Sequence, residues 1–97
     1  MKLRWVSAAA TELEEAVAWY DEQVIGLGDK FLAEIDKATR LIGQFPVAWN
    51  PLSNRTRAYR LNRFPYSVIY TVASDHEIII VAVAHQHRKP DYWKSRN

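Results

Sequence analysis

The chain has 97 residues, no cysteine, and 13 Lys and Arg against 11 Asp and Glu, for a formal net charge of +2. That length holds a single hydrophobic core, so one domain is expected over residues 1–97. Without cysteine there is no disulfide framework, thiol nucleophile or thiolate metal site. The apolar fraction of 48% and charged fraction of 25% suit a folded globular protein rather than a disordered one.

The longest apolar run, Ile78 to Ala84, is too short to cross a bilayer. Met1 to Thr11 lacks the sustained apolar stretch of a signal peptide, so a cytoplasmic protein is expected. Charge divides unevenly along the chain. Residues 1–49 carry 5 bases against 8 acids, whereas residues 50–97 carry 8 bases, six of them Arg, against 3 acids. An Arg-rich half meets phosphates or carboxylates through bidentate forks, or simply forms a solvated surface.

In chain order, Lys2–Val6 alternates as a short strand, and Ser7 offers an N-cap for a helix from Ala8 to about Ile25. Leu13, Ala16, Val17, Tyr20 and Val24 give that helix its apolar face, with Glu12, Glu15 and Glu22 pointing elsewhere. Gly26 and Gly28 break the pattern, and Asp29 can cap a second helix. Its stripe is Phe31, Ile35, Ala38, Ile42 and Phe45, and Gly43 and Pro46 end it. Two such helices with a short connection form an antiparallel hairpin. Residues 46–56 read as a loop, after which the period changes to two. Arg57–Arg63, Tyr66–Ala73 and Glu77–His85 read as strands, the last apolar on both alternations and so covered on both faces. Residues 91–97 form a short polar and aromatic tail after Pro90. The expected architecture is α+β in the order β-α-α-β-β-β, a helical hairpin packed on one face of a mostly antiparallel four-stranded sheet.

Stand-alone catalytic motifs are absent: Gly26-Leu27-Gly28 only joins two helices, and no nucleophile elbow occurs. His85 and His87 share one side of an extended strand, with Asp91 a third ligand in principle, but a fraying strand end is the better reading and no metal is expected. Arg55, Arg57, Arg60, Arg63, Arg88 and Arg96 lie near Tyr66, Tyr92 and Trp93 in sequence. Such a mixture suits RNA, by phosphate pairing and base stacking, and suits an acidic protein partner equally. Tyr66, Trp5, Trp19 and Trp49 read first as packing residues.

Four stretches together carry a family resemblance: Trp19–Ile35 (WYDEQVIGLGDKFLAEI), the Phe45-Pro46 stop, Arg60–Val72 (RLNRFPYSVIYTV) and Ala82–Trp93 (AVAHQHRKPDYW). They resemble the RelE/ParE superfamily, the small toxins of type II toxin–antitoxin modules, often called plasmid stabilisation proteins. The resemblance covers nearly the whole chain. It implies a cognate antitoxin, oligomers built through it, no cofactor, and one of two activities. RelE-like members cut messenger RNA in the ribosomal A site with a basic cluster and a tyrosine; ParE-like members poison DNA gyrase by binding.

By that resemblance, the basic positions of the cutting members fall on Ala58, Arg60, Ser67 and Gln86, and the tyrosine on Tyr92. Only Arg60 and Tyr92 keep the chemistry; Arg88 matches a further basic position, and His85 or His87 are stand-ins. One charge stabiliser in a preorganised site is worth about 3–4 kcal/mol, so missing three of four tips the reading towards a ParE-like toxin of gyrase. Its contact residues would be Arg57, Arg60, Arg63, Arg88, Tyr92 and Trp93. The alternative is a ribosome-dependent endoribonuclease, with Arg60 and Arg88 on the phosphate and Tyr92 or His85 moving the 2′-hydroxyl proton. A third reading is a non-toxic module that only binds an antitoxin.

Overall fold

The computed structural model describes residues 1–96; Asn97, the last residue of the expected tail, lies outside them. Strand β1 (Lys2–Trp5) leads directly into helix α1 (Ser7–Gln23). Ser7 is the first helical residue rather than the cap, because Val6 is held extended by donating its N–H to the Ile80 carbonyl at 3.1 Å. Helix α1 buries Ala9, Ala16 and Tyr20. Val24, expected on that apolar face, already lies beyond the helix in an extended conformation and is exposed.

Helix α2 (Leu27–Gln44) starts two residues earlier than its expected Asp29 cap. Gly26 turns the chain at φ 86°, a left-handed conformation that only glycine adopts without strain. The side-chain acceptor for the new helix comes from α1, where Asp21 Oδ1 receives the Gly28 N–H at 2.8 Å. Phe31, Ile35, Ala38 and Ile42 are buried, as their spacing requires. Phe45 is exposed because the chain has already left the helix there.

The sheet is five-stranded in the order β1-β5-β4-β3-β2, with β3 (Thr56–Arg60), β4 (Tyr66–Ser74) and β5 (Glu77–His85) as its antiparallel centre. Strand β1 pairs parallel with β5, and Arg4 meets Glu77 across that pair at 3.3 Å. The fifth strand, β2 (Asn50–Pro51), falls where a loop is expected and pairs antiparallel with Ala58 and Arg57. Pro51 has no N–H to give, so this two-residue strand sits at the sheet edge. The architecture is otherwise the expected one: α+β, mostly antiparallel, with a helical hairpin on one face.

That face holds the main core, where Phe31, Phe64 and Tyr66 meet edge to face at centroid distances of 5.0–5.1 Å. A β-bulge leaves Val81 unpaired between Ala82, opposite Ile69, and Ile80, opposite Tyr70. It resets the alternation of β5, so Ile78, Ile80 and Val83 face the helices while Ile79, Val81 and Ala82 face the other way. The second face is covered by Tyr92 and Trp93 of the C-terminal segment. Strand β5 is thereby enclosed on both sides, as its doubly apolar sequence requires.

Candidate functional site

The site begins at an edge that the sheet leaves open. Strand β1 stops at Trp5 opposite Ile80, so the outer edge of β5 has no strand partner beyond that point. Two side chains satisfy it instead: Val83 N–H donates to Glu12 Oε1 at 3.0 Å, and Arg96 Nη1 donates to the Val81 carbonyl at 3.2 Å. Unpaired backbone groups at a partly buried edge would each cost about 1–3 kcal/mol, which makes these contacts structural necessities.

Glu12 is the hub. Arg96 grips its carboxylate bidentately, Nη1 to Oε1 at 2.8 Å and Nη2 to Oε2 at 3.0 Å, and the Tyr92 hydroxyl donates to Oε2 at 2.8 Å. Arg88 adds a longer ion pair at 3.9 Å and lays its guanidinium over the Tyr92 ring, 3.9 Å from the centroid. The Glu12 side chain is only 12% exposed. Burial by itself pushes its carboxyl pKa up, but the hydrogen bonds from Arg96, Tyr92 and Val83 outweigh that and hold it below the ordinary value. Burial, then donation to Glu12, pushes the Tyr92 phenol well up. Tyr92 is therefore a locked donor.

Beside this hub runs an open groove of about 570 Å³ between α1 and the ends of β4 and β5, lined by Glu12, Ala16, Trp19, Tyr66, His85 and Arg88 among others. Trp19, expected to be a packing residue, stands 55% exposed at its rim. His85 packs edge-on to Tyr66 at 5.0 Å, and its Nδ1 accepts the His87 N–H at 3.0 Å. Among the described residues no group of three or more His, Cys, Asp or Glu could hold a metal.

The fold thus brings together Arg88, Tyr92 and His85, with Trp93 alongside on the outer face. It separates the rest of the expected basic set. Alternation along β3 puts Arg57 on the side of Tyr59 and Arg60 on the side of Ala58, on opposite faces of the sheet. Arg57 is used to hold the Trp49 carbonyl at 2.8 Å. Arg60 stands beside Ser67, its register partner, and Arg63 lies in the turn between β3 and β4. Neither joins the Glu12 cluster by a hydrogen bond or ion pair among the described residues. Two side chains of the cluster escape sequence reasoning. Glu12 reads as a solvent-facing acid, although it lies three residues after Ala9 and four before Ala16, on the flank of the buried stripe. Arg96 reads as one more tail cation.

Comparison with known proteins bears on the family and the fold. Residues 3–90 match the family model described as the ParE toxin of the type II toxin–antitoxin system, parDE. The chain is 28% identical over 86 residues to Y4kP of Sinorhizobium fredii (strain NBRC 101917 / NGR234), a protein whose name describes it as a candidate toxin; the match spans 88% of this chain and 90% of that one. A solved structure titled as the chromosomal ParDE TA system from P. aeruginosa shares the fold, with a TM-score of 0.75 at 22% identity over 88% of this chain and 95% of its own. With the family model spanning nearly all of its length, the chain belongs to the ParE toxin family of type II toxin–antitoxin systems.

Proposed function

We propose that this toxin arrests growth by binding DNA gyrase, not by cutting RNA, and that a cognate antitoxin neutralises it by seating a segment in the groove beside α1. The observation that carries the reading is the state of Tyr92. A residue that activates a ribose hydroxyl has to accept a proton near neutral pH. Here the phenol is a committed donor to Glu12, and both burial and the neighbouring carboxylate oppose its ionisation. The positions that would stabilise a phosphorane add to this: Arg60 stands next to Ser67, whose other register partner is Ala84, so one guanidinium faces small neutral side chains. Binding needs no such set. Arg88, half-exposed and stacked on Tyr92, and partly buried Trp93 are the kind of anchors that carry interface energy.

The test uses the purified protein in two assays, gyrase supercoiling with recovery of the cleaved DNA complex, and messenger RNA cleavage on programmed ribosomes. Inhibition in the first and none in the second is expected. Tyr92→Phe, which keeps the ring and loses only the hydroxyl, should still inhibit gyrase and growth. Ribosome-dependent cleavage that drops about 10²–10⁴-fold in Tyr92→Phe would overturn the reading in favour of general acid–base catalysis.

A further inference from the structure

Among the described residues, the long-range polar attachments of the C-terminal segment converge on Glu12. Gln86 N–H still bonds across to the Pro65 carbonyl at 2.8 Å. Beyond it, the backbone hydrogen bonds of the segment are local, Arg88 to His85, Tyr92 to Lys89, Lys94 to Asp91 and Arg96 to Trp93. Among the described residues, its long-range side-chain bonds run from Tyr92 and Arg96 to Glu12, with one from Arg96 to the adjoining Val81 carbonyl. Pro90 and Asp91, the latter at φ 64°, make the bend that precedes the docked part.

We propose that Glu12 is a latch: its carboxylate is the main polar fastening of residues 91–96 across the outer sheet face, and neutralising it frees the segment as a unit while the core stays folded. The groups that meet the carboxylate are all donors or cations: the Val83 N–H, the Tyr92 hydroxyl and two nitrogens of Arg96 within hydrogen-bond distance, and Arg88 farther off at 3.9 Å. A carboxylate has enough lone pairs for all of them, and a neutral amide of the same shape does not. Tyr92 and Trp93 contribute apolar contact, but both remain partly exposed, so the charge-assisted bonds decide whether the segment stays down. Where the segment is the target-binding surface, an inference that rests on the gyrase reading, Glu12 acts as its positioning residue. It spares the partner the entropy of ordering a loose tail.

Limited trypsin digestion of the full chain reads the latch directly, because Arg88 precedes the docked part and Lys94 lies within it, while Lys37 and Arg40 report on α2 in the core. In Glu12→Gln, cleavage at Arg88 and Lys94 should accelerate about ten- to a hundredfold, the range for losing charge-assisted hydrogen bonds, with Lys37 and Arg40 as resistant as in the wild type. Arg96→Gln should reproduce the pattern from the other end, and the double variant should be no more open than either single one. Glu15→Gln, one turn fraction along the same helix, should leave the pattern unchanged. Wild-type protection of Arg88 and Lys94 in Glu12→Gln would overturn the latch, as would opening of Lys37 and Arg40 in step, or effects of the two substitutions that multiply. Released segment with undiminished gyrase inhibition would uphold the latch and remove the docked segment from the target-binding surface.

Discussion

At the residue scale, the weight carried by Glu12 comes from matching one acceptor to several donors in a place that water barely reaches. An exposed ion pair such as Lys94 with Asp91, 3.4 Å apart, contributes little by comparison, since solvent screens it. The lowered carboxyl pKa makes the difference measurable. A group whose folded pKa lies below its ordinary value adds stability that is present above that value and is lost as pH falls through the folded one. For Glu12 the ordinary value is 4.5. Wild-type protein should therefore melt higher than Glu12→Gln at neutral pH, and the gap should narrow as pH drops below 4.5. Melting curves of both proteins across the acid range check this; a gap that stays constant to low pH would show that the carboxylate charge is not what stabilises. The sequence conceals this role for a physical reason. Arg96 lies 84 positions from Glu12, and only the crossing of α1 over β5 brings them together.

At the element scale, what could be read in advance was what depends on local periodicity. The stripe of α2 and the doubly apolar β5 stand where their spacing places them, and Ile35 and Ile80 are both buried. The boundaries depend on long-range contacts and shifted accordingly: β1 pairing pulled the start of α1 back to Ser7, and a cross-hairpin bond from Asp21 moved the start of α2. Alternation along β3 likewise divides the expected basic set, sending Arg57 and Arg60 to opposite faces of the sheet. Two glycines of α2 illustrate how packing overrules propensity. A Cβ on Gly28 would lie 2.6 Å from the Val17 carbonyl oxygen, where the helices cross, whereas a Cβ on Gly43 would meet only the Leu3 side chain at an ordinary 3.6 Å. Gly28→Ala should cost about 1–3 kcal/mol through overpacking. Gly43→Ala should instead gain up to about 1 kcal/mol from helix propensity, less the fraying of the last turn. Urea denaturation of the two variants should show midpoints moving in opposite directions; a shared direction would mean the hairpin is looser at Gly28 than its geometry requires.

At the scale of the whole molecule, the uneven charge of the chain becomes a division in space. Helix α1 carries five acids and no base, while the sheet and the C-terminal segment hold the Arg-rich half. The groove runs along that boundary, with Glu12 and Glu15 on one wall and His85 and Arg88 on the other. On the proposed reading, an antitoxin segment seated in the groove of a molecule only 39 × 27 × 22 Å across wraps outward and orders as it binds. Charge on both walls steers such a segment, but apolar contact at a desolvated centre supplies most of the affinity. Trp19 is the large apolar side chain at the rim, and its exposure is otherwise unexplained. On the proposed reading the antitoxin covers it. Trp19→Ala should then weaken antitoxin binding by at least about 2 kcal/mol, the scale of an interface hot spot, while the toxin's own melting temperature changes little. Titration calorimetry at low and high salt would check both parts. Unchanged affinity in Trp19→Ala, or binding abolished by salt alone, would place the antitoxin elsewhere on the basic face.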